Sequence, residues 1–137
     1  MLSVGVDIVE IDRMARIIDN GDDAFLNRVF TAYEIRRSKK FSLKAEYYAM
    51  IFAFKESFVK ALGLGFTRLS RPGDIDVHLA NQENGLWIAK NTKARFKGQR
   101  IDFLDLQFHR VGKHIVCNLV IHEEGLCVKR NSKEKIY

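Results

Sequence analysis

Two carboxylates and two lysines carry most of the chemistry open to this chain. Asp7 lies near the end of the run Leu2-Ser3-Val4-Gly5-Val6-Asp7-Ile8-Val9, and Glu56 lies in the stretch from Phe52 to Gly65, flanked by Lys55 and Lys60. At helical spacing Ala49, Phe52, Glu56, Val59 and Gly63 share roughly one face, with Lys60 on its flank. Glu56 is thus a carboxylate among apolar neighbours. A charge in such a place is costly unless it is paired or bound to a metal. Lys55, Lys60 and a hard divalent cation are the candidates to hold it. Two carboxylates far apart in sequence, Asp7 and Glu56, also suit a magnesium site for a phosphorylated substrate. Magnesium takes oxygen ligands, keeps several waters, and commonly uses one or two carboxylates with substrate phosphates. No G-x-x-x-x-G-K-[ST] loop is present, which argues against a P-loop nucleotidase.

The elements that must position these groups follow from pattern. The first run alternates and is rich in β-branched residues, so it reads as a strand. On a period of two, Leu2, Val4, Val6 and Ile8 face one way and Ser3, Gly5, Asp7 and Val9 the other, with Gly5 leaving space on the face of Asp7. The alternative is that Asp7 caps the helix that follows. In that helix Ile11, Met14, Ala15 and Ile18 mark the buried side. Arg13, Arg16 and Ile17 mark the other, a solvated basic face by default or a docking surface for an acidic partner helix. Asn20-Gly21-Asp22-Asp23 is a turn, with Asp23 capping a short helix through Val29. Thr31-Ala32-Tyr33-Glu34 has the spacing of a capping box and begins a helix that ends in Arg36, Arg37, Lys39 and Lys40, where cations suit a helix C-terminus. A long amphipathic helix from about Leu43 to Leu62 stops at Gly63.

Beyond it the pattern changes. A loop spans 66–73 and holds the only proline, Pro72, and a strand spans 74–79. Asn84-Gly85 marks a turn with a partner strand over Leu86-Trp87-Ile88. A short helix is predicted over 91–96, and two strands over 101–109 and 114–122. The whole is α+β: a single domain over 1–123, with a strand and helices followed by antiparallel strands, and a polar, basic tail over 124–137.

Bulk composition narrows the partners. A chain of 137 residues with 47% hydrophobic and 29% charged residues is an ordinary one-domain composition. The net charge of +6 favours polyanionic partners: nucleic acid, phosphorylated small molecules or an acidic protein. The aromatic residues alternate with aliphatic ones in core-like segments and form no stacking platform, which weighs against nucleic acid. No apolar run spans a bilayer and no signal pattern opens the chain, so no membrane association and a cytoplasmic location are expected. Cys117 and Cys127 have no partner cysteines or histidines at zinc-site spacing and read as ordinary thiols.

Three segments, in order, resemble a known family. Gly5-Val6-Asp7-Ile8-Val9-Glu10-Ile11-Asp12-Arg13 resembles the opening motif of the holo-acyl-carrier-protein synthases, the small phosphopantetheinyl transferases. Phe30-Thr31-Ala32-Tyr33-Glu34 is similar to their F-T-x-x-E segment, and Phe52 to Gly65 to their F-x-x-K-E-x-x-x-K-x-x-G-x-G signature. The resemblance implies transfer of 4′-phosphopantetheine from coenzyme A to a serine of an apo acyl carrier protein, with release of adenosine 3′,5′-bisphosphate. It implies that Asp7 and Glu56 hold Mg2+ against the pyrophosphate and that Lys60 sits near the transferred phosphate. Lys55 and the backbone around Gly63 and Gly65 would lie near coenzyme A. Arg13, Arg16 and Ile17 match the helix that docks the carrier, and a homotrimer with coenzyme A between subunits is expected. Glu56 is the preferred base for the serine proton, because one carboxylate oxygen can ligate while the other accepts.

The sequence departs from the family pattern in two places. Ile51 stands where members usually have an arginine. Leu106-Gln107-Phe108-His109 stands where they usually have S-x-S-H, so both serines are lost and the histidine is kept. His109 is the expected phosphate contact there, with a satisfied strand histidine as the plain alternative. These departures leave a second reading, a divergent or non-catalytic relative that binds a carrier protein or coenzyme A.

Overall fold

The computed structural model describes residues 2–63, 71–79, 82–83, 86–87 and 92–122. The predicted turn at Asn84-Gly85, Gly65 and the basic tail over 124–137 lie outside them. The first strand, β1 (Leu2–Glu10), runs into α1 (Ile11–Asp19), α2 (Asp23–Val29), α3 (Ala32–Ser38) and the long α4 (Lys44–Leu62). A 3-10 turn at Pro72–Asp74 leads into β2 (Ile75–His78), β3 (Gln82–Glu83), β4 (Leu86–Trp87), β5 (Lys93–Phe96) and β6 (Gln99–Arg100). The last two strands, β7 (Phe103–Val111) and β8 (His114–His122), form a hairpin.

β8 is the centre of a three-stranded antiparallel sheet in the order β1-β8-β7, and a second sheet has the order β2-β5-β6. Asp7 is opposite Cys117 in the first sheet, which places it on a strand and not at a helix cap. Three expectations need correction. Within the span 91–96, Lys93–Phe96 forms β5 and not a helix: Ala94 and Phe96 alternate with exposed Lys93 and Arg95, and Ile75↔Phe96 pairing fixes the strand. The cap of α2 is Asp22, whose carboxylate accepts from Phe25 N–H at 3.0 Å, one residue before the cap expected. Finally, α4 is not amphipathic. It is buried on almost every side, as befits the helix at the centre of the molecule.

The sheet lays one face on α4. Ile115, Cys117, Leu119 and Ile121 of β8 are buried beneath the helix, and Ser3, Gly5, Asp7 and Val9 of β1 face the same way. Gly5 is required there. A Cβ on it would stand 1.8 Å from the carbonyl oxygen of Ser57, so only hydrogen lets β1 approach α4 this closely. The helix is tied to the sheet again where Ser57 Oγ donates to the Cys117 carbonyl at 3.2 Å. It stops at Gly63, whose φ of 69° is left-handed, as a glycine stop implies.

The apolar set of β1 faces outward. Leu2, Val4, Val6 and Ile8 are 47–62% exposed. Cross-strand register puts Val120, Asn118 and Val116 of β8, then Asp105, Gln107 and His109 of β7, on that same outer face. An irregularity in register between Phe103 and Asp105 turns Leu106 and Phe108 inward, where both pack against the core.

Candidate active site

Strand β1 delivers Asp7 and helix α4 delivers Glu56 to one cleft. It has a volume of about 580 Å³, and Arg13, Ile17, Phe25, Phe52 and His114 line it with them. Phe25 and Phe52 are ring neighbours, with centroids 6.4 Å apart, and make an apolar wall beside the carboxylates. The residues expected for acid–base work and those expected for docking therefore meet in one place. Arg13 and Arg16 are exposed on α1; Ile17 is half-buried against the core at the cleft. The helix bearing them is pinned at its start, where Ile11 N–H donates to the Lys113 carbonyl at 2.8 Å and Lys113 Nζ lies 3.1 Å from Asp12 Oδ2.

Charge is shared unequally among the site residues. Lys60 Nζ lies 2.6 Å from Asp7 Oδ1 and donates more weakly to the Val6 carbonyl at 3.4 Å. Among the described residues Glu56 forms no ion pair, although both neighbouring lysines were its candidate partners. Partial burial, and then the negative charge of Asp7, push the Glu56 carboxyl above its ordinary range, against a smaller opposing effect of Lys60. A half-buried carboxylate with a raised pKa and no fixed partner is suited to accept a proton.

Lys55 corrects the expectation placed on it. Expected near coenzyme A, its side chain is 0% exposed and points away from the cleft. Its ammonium lies 2.7 Å from Glu34 Oε1, 2.8 Å from the Val29 carbonyl and 3.0 Å from the Pro72 carbonyl. Glu34 also closes the capping box with Thr31 and accepts from Val77 N–H at 2.7 Å. Burial raises the Glu34 pKa and lowers that of Lys55. Three acceptors around one nitrogen nevertheless require an ammonium, and three donors around one carboxylate require an anion. The sequence marked Glu34 only as half of a capping box. A buried lysine must have a carboxylate somewhere, and that is the signal that finds its second role.

The remaining residues separate. His109 is exposed on the outer face of β7, where Nε2 lies 3.1 Å from Gln107 Oε1, and it does not line the cleft. Ile51 is 0% exposed in the core. Neither Leu106, Phe108 nor Ile51 can supply a polar contact in place of the residues usual there. Gly63 forms the helix stop.

No group of three or more histidine, cysteine, aspartate or glutamate side chains able to hold a metal occurs among the described residues. The donor set still fits magnesium. Two carboxylates reach one cleft, Glu56 forms no ion pair among the described residues, and magnesium takes few protein ligands when phosphates complete its shell.

The profile of the 4′-phosphopantetheinyl transferase superfamily matches residues 3–99. The chain belongs to that superfamily. Within it, holo-[acyl-carrier-protein] synthase of Halothermothrix orenii is 34% identical over 89% of this chain and 97% of its own length. The synthase of a Wolbachia pipientis strain from Culex pipiens is 45% identical over 55% of this chain, and the match spans 63% of that relative. The fold agrees. The structure from Neisseria meningitidis aligns with a TM-score of 0.67 at 22% identity, over 88% of this chain and 97% of that one. The Bacillus anthracis synthase, in complex with CoA (3′,5′-ADP), aligns at 0.63 and 24% identity over 87% and 94%. The chain is thus a member of a family of phosphopantetheinyl transferases, the holo-acyl-carrier-protein synthases.

Proposed function

We propose that this chain transfers 4′-phosphopantetheine from coenzyme A to a serine of an apo acyl carrier protein through the cleft between β1 and α4. The convergence of Asp7, Glu56 and the basic helix α1 on that cleft, with Lys60 paired to Asp7, carries the reading. The serine oxygen attacks the phosphorus bearing pantetheine, and the bond from that phosphorus to the bridging oxygen breaks. Adenosine 3′,5′-bisphosphate leaves with that oxygen. Glu56 takes the serine proton, for which its raised pKa suits it. Lys60, on the same side as Asp7, balances charge at the transferred phosphate. Mg2+ bound by Asp7 and Glu56 would neutralise the pyrophosphate. Attack on such a phosphorus is chiefly a matter of positioning and charge neutralisation, which these groups supply.

Exposed Arg13 and Arg16 with half-buried Ile17 suit an acidic carrier helix docking at the cleft mouth. A homotrimer with coenzyme A between subunits has independent support in the sheet. The outward stripe of Leu2, Val4, Val6 and Ile8 is a face that water solvates poorly. Asp7 and His109 project from opposite faces of one sheet, so one ligand touches both only if a neighbouring copy supplies the histidine. Gly65 stays assigned to coenzyme A by family motif alone. The positive net charge and the absence, among the described helices, of any long and apolar enough to cross a membrane fit a cytoplasmic enzyme acting on polyanions.

Incubation with coenzyme A, Mg2+ and an apo carrier, followed by mass spectrometry of the carrier, tests the reading. A gain of one phosphopantetheine is expected, abolished by chelation. No gain across a panel of apo carriers sinks it.

A further inference from the structure

Lys55 and Glu56 are neighbours on a helix that turns about 100° per residue, so they leave α4 in different directions. Glu56 enters the cleft. Lys55 enters the opposite layer, where three elements meet its ammonium: the last residue of α2 through Val29, the first turn of α3 through Glu34, and the 3-10 turn through Pro72. Glu34 extends the same node to β2 through Val77 N–H, and Thr31 Oγ1 adds a 2.6 Å bond to Asp76 Oδ1. Every proton on the ammonium is used, and both carboxylate oxygens of Glu34 accept.

Most of what surrounds α4 is apolar. Tyr47, Met50, Ile51, Phe54, Phe58 and Val59 are buried, and such burial is strong but weakly directional. An apolar core of the right volume tolerates small rolls and shifts of a helix. Three charge-assisted bonds from one atom to three elements do not, because each loses strength quickly with misalignment. Where a buried ion pair has a demonstrated use, fixing registry is the best-attested one.

We propose that Lys55 is a positioning residue, whose node with Glu34, Val29 and Pro72 sets the roll of α4 and so aims Glu56 into the cleft. Its catalytic readout rests on the transfer reaction proposed above. The role is separate from stability, and the two can be pulled apart. Replacing a buried ion pair with apolar residues of similar volume is often neutral or stabilising, whereas removing one partner alone is not.

The test is therefore the double variant Glu34→Leu/Lys55→Met beside the single Lys55→Met. The single variant should lose thermal stability. The double variant should melt above the single one, though below the parent because Thr31 N–H and Val77 N–H lose their acceptor, yet keep a kcat reduced at least tenfold with the KM for coenzyme A within about threefold. Its backbone amide resonances for Glu56 and Asp7 should also move, a readout independent of which reaction the protein catalyses. Wild-type kcat and unmoved cleft resonances in the folded double variant would overturn the proposal. If the double variant does not fold, Lys55→Arg decides. It keeps the charge but alters the reach: reduced kcat and shifted Glu56 resonances support positioning, and unchanged values refute it. Loss of parent activity itself would indict the transfer reading, while the resonances still report on the roll of α4.

Discussion

At the scale of single residues, the base role proposed for Glu56 predicts opposing effects on stability and catalysis. Folding holds its carboxyl above the ordinary value of 4.5, first by burial and then by the charge of Asp7. The sign follows from linkage. A carboxyl raised on folding penalises the native state once pH exceeds its unfolded value, and the penalty vanishes as the group protonates. Glu56→Gln should therefore melt at or above the wild-type temperature at pH 7–8, and the difference should close below about pH 4.5. Calorimetry across that range checks it. Its transfer rate should meanwhile drop by about 10²–10⁴, the usual contribution of a general base. Wild-type turnover in this variant would remove Glu56 from the mechanism. The carboxylate itself was legible in the sequence, because its place on an apolar face is a local property. The partners of the flanking lysines were not. Lys55 and Lys60 lie within one helical turn of Glu56, yet their partners, Glu34 and Asp7, come from other elements, and only tertiary structure selects between near and distant carboxylates.

At the scale of elements, the approach of β1 to α4 sets the spacing of the two carboxylates, and Gly5 permits it. Gly5→Ala should destabilise by about 1–3 kcal/mol or more, because the obstructing atom is backbone and cannot rotate away. Urea unfolding measures this directly, and a value within experimental error of the parent would show that the strand moves without cost. Most elements were visible from pattern: β1, the capping box of α3, α4 with its glycine stop, and the hairpin β7–β8. The failure at 91–96 has a specific cause. Lys93-Ala94-Arg95-Phe96 is four residues long, too short for period two to be told from a helical turn, and its pairing with β2 supplies the missing information. The four-sided burial of α4 was hidden for a related reason. Glu46, Lys55 and Ser57 are polar residues spread around the helix, and all three are buried through partners distant in sequence.

At the scale of the whole molecule, one strand serves two faces. Inward-facing Asp7 and Val9 line the cleft, and Leu2, Val4, Val6 and Ile8 form an outward aliphatic stripe. If this chain forms the proposed trimer and that stripe is the contact between copies, Val4→Asp should leave it monomeric in sedimentation, with coenzyme A affinity falling in parallel. Unchanged sedimentation would place the contact elsewhere. Alternation showed that the strand had two unlike faces, but could not show that the more apolar one looks outward. That depends on β8 and α4, far along the chain, claiming the other. The opposed placement of Asp7 and His109 on this sheet has a genetic consequence. If Glu56 is the base and His109 reaches the site of a neighbouring copy, a chain carrying Glu56→Gln and a chain carrying His109→Ala would each be defective in every site they form alone. Co-expressed, they should complement, since some mixed assemblies unite the sound carboxylate of one with the sound histidine of the other. Two null alleles of this gene would then rescue each other in a single cell, and absence of rescue would mean that each chain works by itself.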